Sequence, residues 1–361
     1  MQTIQKAPET MTARERVKRT FAFEKTDRVP IDYCANPVIH KRLMAALGAR
    51  DDEQLRRMLG VDFRGIHAPY AGPQRFPEKA GRQVSAVYGH YTRRVENKFG
   101  SYEDFCDFPL QNAPPEAFAA YPFPSADEFD CDRAVASMAQ YPDCALYAGS
   151  AGIPDIINSM GRIMGMEDIL VALYTEDAAV LDLLDRKLDL ELGVLERLLE
   201  KAKGRIDFLW LGEDLGTQHA PMISLELYRR VLRPRHARFV DLGKAYGLPV
   251  MVHTCGASSW AYEDFIEMGV AAVDTLQPEA TDMSPESLCA RFGGRLSFHG
   301  CISTAGPLAY GTAQETAQIC RETLAAMRPF GGYHFAPSHA IQDNSPVENV
   351  IAMYQTAHEV I

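Results

Sequence analysis

LPVMVH, residues 248–253, is an apolar run that stops on a histidine, and Thr254, Cys255 and Gly256 follow it. Apolar residues at odd and even positions alike describe a strand buried on both faces. Seven further runs share the pattern: 28–34 (RVPIDYC), 61–67 (VDFRGIH), 144–150 (CALYAGS), 206–212 (IDFLWLG), 271–276 (AAVDTL), 295–301 (RLSFHGC) and 332–337 (GYHFAP). Amphipathic stretches fill the gaps. Residues 166–203 carry a long helical periodicity, and 224–246 follow Ser224 as an N-cap. Thr312 with Glu315, and Ser345 with Glu348 around Pro346, have capping-box spacing. Strand–helix–strand units force parallel neighbours, so eight alternations predict an α/β protein, a closed (β/α)₈ barrel over residues 1–361. The competing open sheet lacks a G-x-G-x-x-G after its first strand. Residues 85–130 break the alternation with a hairpin around Gly89 and a loop rich in Pro and aromatics. They are expected as an insertion near the barrel mouth, within the single domain.

The 361 residues are 47% hydrophobic and 24% charged, enough apolar material for one large core. A net charge of −11 argues against a nucleic-acid partner, whose phosphates call for a basic face. No apolar run is long enough to cross a bilayer, and the polar opening MQTIQKAPETMTARERVKRT has no signal core. A cytoplasmic protein with no membrane partner is expected, its eight scattered cysteines mostly reduced.

Chemistry in such barrels sits at the C-terminal ends of the strands. Strand 206–212 ends in Glu213-Asp214, with Gln218 and His219 beyond; 295–301 ends in His299-Gly300-Cys301; 332–337 ends in Pro337-Ser338-His339; the first ends near Asp32, Tyr33 and Cys34. His253-x-Cys255 is the sharpest feature. An imidazole and a thiolate two residues apart converge when the chain leaves a strand, and zinc takes both. Cys301 and His339 end neighbouring strands and offer the remaining ligands. The alternative is a core histidine beside a small buried cysteine. Glu213 and Asp214 are adjacent carboxylates, of which one faces the pocket, to orient a ligand or act as acid or base; helix or loop capping is the competing role. His299 is read as pointing into the helical layer, and Arg93 and Arg94 as a solvated hairpin face.

Several stretches resemble the uroporphyrinogen decarboxylase superfamily: MTARERVKRTFAFEKTDRVPIDY (11–33), GEDLGTQ (212–218), VMVHTCG (250–256), LQPEATDM (276–283) and the closing GGYHFAPSHAIQDNSPVENVIAMYQTAHE (331–359). The resemblance implies a (β/α)₈ barrel and, as in many relatives, a homodimer. It implies one of two chemistries: metal-free decarboxylation of a tetrapyrrole, or zinc-dependent methyl transfer to or from a corrinoid (cobalamin). The decarboxylases' W-M-R-Q-A-G-R-like stretch, whose arginines grip propionates, is replaced by IDYCANPVIHKRL (31–43), and their aromatic- and threonine-containing segment by GSAGIPDIINSMG (149–161). The methyltransferases' H-x-C zinc pair is matched by His253 and Cys255. Their last cysteine, after A-P-G, is replaced by Ala336-Pro337-Ser338-His339.

Three expectations follow. The first is a zinc-dependent methyltransferase moving methyl between a small methylated molecule or thiol and a corrinoid, free or on a corrinoid protein. The second is a decarboxylase-like lyase on a carboxylated substrate, with Glu213 or Asp214 as acid. The third is a non-catalytic corrinoid- or tetrapyrrole-binding protein with a structural metal.

Overall fold

A computed structural model describes residues 3–359. Among them are ten strands: β1 (Phe63–Gly65), β2 (Gln83–Val84), β3 (Tyr91–Asn97), β4 (Gly100–Cys106), β5 (Ala145–Pro154), β6 (Phe208–Gly212), β7 (Val250–His253), β8 (Ala272–Leu276), β9 (Ser297–Ile302) and β10 (Tyr333–Pro337). β2–β4 form a small antiparallel sheet; the other seven form one sheet in the order β1-β5-β6-β7-β8-β9-β10. Every pairing in the larger sheet is parallel. Helices return the chain each time, among them Ala178–Ala202 after β5, Arg233–Ala245 after β6 and Ala313–Met327 after β9.

The larger sheet is strongly curled. The Phe63 ring of β1 and the His334 ring of β10 have centroids 5.7 Å apart. In a flat sheet those strands would be six spacings, about 29 Å, from each other. One face of the curl packs Phe63, Ala145, Phe208, Met251 and Ala272 around Val17 of the helix Ala13–Phe21. The other face packs against the helical layer in a much larger apolar cluster.

Seven of the eight expected strands are present; the segment 28–34 is corrected. It forms no ladder, only a single parallel bridge from Ile31 to Phe335. Phe335 N–H donates to Pro30 O (2.8 Å) and Asp32 N–H to Phe335 O (2.9 Å), while on the far side Asp62 N–H donates to Ile31 O (2.9 Å). The segment thus spans the gap between β10 and the residue before β1. Two features stop it from becoming a strand: Pro30 has no N–H to give, and the Ile31 N–H goes to the Asp62 carboxylate at 2.7 Å.

Other local expectations divide. Ser224 and the Thr312–Glu315 box cap their helices as expected. Ser345 and Glu348 form no box, and Pro346 starts its helix without a side-chain cap. The stretch 166–203 is two helices, Met166–Thr175 and Ala178–Ala202, because Glu176 turns left-handed (φ 52°) and Asp177 caps the second.

The insertion turns at Gly89 (φ 72°). It reaches from the helix Ile156–Met164 to the helix Pro37–Leu47. Phe105 stacks 4.7 Å from the guanidinium of Arg162, on the helix after β5. At the other end Gly100 lies so close to Val38 that a Cβ there would come within 2.7 Å of its methyl. Arg93 and Arg94 are solvated, paired with Asp104 and Glu96. No helix among the described residues is long and apolar enough to cross a membrane.

Candidate metal centre

β7 delivers His253 to the rim, and the chain turns there through Gly256 (φ 69°) so that Cys255 faces back toward it. Gly256 is required: a Cβ would sit 2.3 Å from the carbonyl oxygen of Gly216. Cys255 Sγ lies 3.5 Å from His253 Nε2. From the end of β10, His339 brings its ring centroid to 6.1 Å from that of His253. Donor atoms of His253, Cys255 and His339 all lie within 4.8 Å of one another. Three of the four residues expected as ligands are therefore together.

Cys301 is not with them. It is buried, and the ionisable groups that bear on its thiol are Cys289, Glu286 and Glu279, on and before the helix Pro285–Phe292. Gly300 (φ 108°) and Cys301 (φ 70°) both leave the extended region, which turns the thiol away from the rim that His299 faces.

The tautomer of His253 is fixed from behind. Its Nδ1–H donates to Asp274 Oδ2 at 2.8 Å, leaving Nε2 toward Cys255. Asp274 is buried and accepts three more bonds: from His299 Nδ1 (2.6 Å), Trp210 Nε1 (3.1 Å) and its neighbour Thr275 N–H (2.5 Å). A carboxylate behind a ligating histidine sets its orientation and its basicity. Burial opposes charge on Asp274, but His299 and His253 outweigh it and hold the carboxyl well below the ordinary range. Burial likewise opposes charge on His299, yet Asp274 and Asp32 raise its pKa to about 10. His299 Nε2 reaches Asp32 Oδ2 at 3.3 Å. The expectation that His299 points into the helical layer is thus corrected. Thr275 is a β-branched residue at φ 62°, a strained position held beside Asp274 where the β8–β9 register shifts.

The adjacent carboxylates separate as strand geometry requires. Asp214 faces the rim: it accepts from Cys255 N–H at 2.9 Å and from Asn158 Nδ2 at 2.8 Å, and lies 3.9 Å from His253 Nε2. Glu213 faces outward and is buried. It accepts from Ile156 N–H (2.7 Å) and Ile157 N–H (3.0 Å), the first amides of the helix Ile156–Met164, and contacts His236 Nε2 at 2.9 Å. That is a helix-capping arrangement; of the two carboxylates expected as acid or base, Asp214 lines the cavity and Glu213 does not.

His253, Asp214, Asp274, His299, Asp155 and Arg162 line a cavity of about 290 Å³. Asp155 was not singled out in the sequence. Burial and then Glu213 push its carboxyl up to about 7, against the pull of Arg162 at 3.6 Å. Burial and then Asp214 push the Cys255 thiol far up, so the metal-free side chain is a neutral thiol.

Fold and site together define an α/β protein whose curled parallel sheet gathers a nitrogen–sulfur donor cluster at the C-terminal ends of its strands. The chain belongs to the uroporphyrinogen decarboxylase (URO-D) family, whose model matches residues 149–360, more than half of the sequence. It is similar in structure to a methyltransferase from Methanosarcina mazei, with a TM-score of 0.65 at 14% identity, over 96% of this chain and 98% of that one. No curated protein matches it in sequence.

Proposed function

We propose that the chain is a zinc-dependent methyltransferase, moving a methyl group between a small methylated molecule or thiol and a corrinoid, free or carried by a partner protein. The observation that carries this reading is the grouping of His253, Cys255 and His339 within 4.8 Å. Imidazole and thiolate donors suit zinc, and three protein ligands leave a fourth position open, whereas a structural zinc is closed by four. Family membership and the likeness in fold to a methyltransferase support the same reading. So does the strong curl of the seven-stranded parallel sheet.

The chain's own residues have distinct parts in it. Asp274 holds Nδ1–H of His253, so Nε2 is the nitrogen offered to a metal. Asp214, bonded to the Cys255 amide, holds the loop that presents the thiol. The Cys255 thiol must lose its proton on binding, so zinc uptake releases a proton and weakens as pH falls. Bound zinc supplies Lewis acidity, lowering the pKa of a thiol or polarising a methoxy oxygen or methylated nitrogen. Asp155 lines the same cavity and, with its pKa near 7, is the group suited to hold the proton that a demethylated heteroatom takes up.

The test is elemental analysis of reconstituted wild type and of Cys255→Ala, His339→Ala and Cys301→Ala, followed by methyl transfer assays with methylcobalamin. One zinc per chain is expected in wild type and Cys301→Ala, with weakened binding in the other two. Zinc-free wild type would leave the decarboxylase-like reading.

A further inference from the structure

The donor cavity has a neighbour. A chamber of about 520 Å³ opens beside it, and Asp32, Tyr33, Cys34 and Trp210 line both. Two guanidinium groups face the second chamber. Arg64 is already neutralised by Glu53, at 2.8 and 3.2 Å. Arg56 is not. It is half-buried, bonded to Tyr33 O at 3.2 Å and stacked 5.6 Å from the Tyr33 ring centroid, and no carboxylate among the described residues pairs with it. The two acids in the lining are engaged elsewhere, Asp32 with His299 and Asp52 with His40. In a chain of net charge −11, a half-buried guanidinium left without a carboxylate is a free partner for an anionic ligand.

Two further donors face the same space. Neither the His67 imidazole nor the Tyr147 hydroxyl has a hydrogen-bond partner among the described residues, and they meet across Gly65, where a Cβ would lie 2.6 Å from His67 Nε2 and 2.9 Å from the Tyr147 oxygen. Burial keeps His67 neutral and Tyr147 protonated, so each has a hydrogen to give. The remaining walls carry aromatic rings: Tyr147 and Trp210 meet edge-on at 5.1 Å, and Tyr33 lines the chamber with Arg56 over its ring.

We propose that this chamber binds the carboxylate of a planar aromatic substrate. Arg56 pairs with the carboxylate, His67 and Tyr147 donate to it, and the ring lies against Tyr33, Tyr147 and Trp210. The far end of such a molecule passes the shared wall toward His253 and Cys255. On the reading of methyl transfer proposed above, the methylated molecule is then an aryl methyl ether bearing a ring carboxylate. The binding itself does not rest on that reading.

The experiment is calorimetric titration of the full chain, zinc-loaded and zinc-free, with 4-methoxybenzoate, with 4-methoxybenzyl alcohol as its neutral counterpart, and with inorganic phosphate. Methoxybenzoate is expected to bind both forms and to outcompete phosphate. Arg56→Gln should weaken it at least tenfold while leaving the alcohol unchanged, and Arg56→Lys should restore part of the loss. Tyr147→Phe should weaken it several-fold, and decides the matter if Arg56→Gln does not fold. Absence of methoxybenzoate binding by wild type, equal losses for acid and alcohol, or preferential binding of phosphate would each overturn the assignment. Binding that survives in a protein unable to take zinc would separate the failure of the metal reading from that of this one.

Discussion

Replacing Asp274 by Asn tests the centre from behind. The carboxylate accepts from His253 and His299 on its two oxygens, at 2.8 and 2.6 Å, and from Trp210 and Thr275 besides. An amide has one accepting oxygen and one donating nitrogen, so it can serve one imidazole only. If its oxygen stays with His299, the nitrogen meets the Nδ1–H of His253, which must move its proton to Nε2, the nitrogen needed by a metal. Loss of such a carboxylate costs about 10–100-fold in metal affinity, about 1.4–2.7 kcal/mol. If the oxygen stays with His253, a charged His299 is left buried against a donor, a break that costs about 3–5 kcal/mol of folding stability. The alternatives are exclusive, so two assays cover them: zinc affinity by competition with a chromophoric chelator, and urea unfolding of the metal-free protein. Asp274→Asn with zinc affinity within about twofold and stability within about 0.5 kcal/mol of wild type would refute the reasoning.

Three further outcomes are expected. His299, raised to about 10 in the folded protein, contributes stability fully below its unfolded pKa of about 6.5 and loses it as pH rises through 10; urea titrations from pH 6.5 to 10 should show wild type losing its advantage over His299→Gln. Glu213→Gln should lower stability by about 1–3 kcal/mol by weakening the cap on Ile156 and Ile157, while leaving zinc affinity unchanged; parallel loss of zinc would place the residue in the metal centre. Shortening the hairpin between β3 and β4 to remove its tip against Val38 should weaken ligand binding with little change in the melting temperature, as the tip adds few buried contacts to the core.

The site was legible in the sequence where chain geometry alone decides it. His253 and Cys255 are two residues apart at the end of an apolar run, and nothing but the turn at Gly256 is needed to bring them together. Alternation also predicted that only one of Glu213 and Asp214 would face the pocket, without saying which. Cys301 misled because the same alternation puts it with His299, and the left-handed backbone at Gly300 and Cys301 cancels it. Asp274 left one faint sign, a lone acid inside an apolar strand. Its partners lie on β6, β7 and β9, 64, 21 and 25 residues away, and no local spacing records them. Arg56 was hidden for the same reason: its significance is the absence of a partner, which only tertiary structure displays. The strands of the larger sheet followed from apolar runs except at 28–34, where Pro30 lacks an N–H and the side chain of Asp62 takes the Ile31 N–H that a ladder would need.

That exception shapes how the wall can give way. Within the parallel sheet neighbouring strands are stitched by three to five residue pairs, but the segment beside β10 is held by two isolated bridges, Ile31 to Phe335 and Ala35 to Ile341. The residues between the two bridges, Asp32, Tyr33 and Cys34, are the partition between the two chambers. Shifting that partition breaks a few hydrogen bonds, whereas moving any other part of the wall would unzip a ladder. A molecule long enough to occupy both chambers therefore meets its most yielding boundary at the place where it must cross.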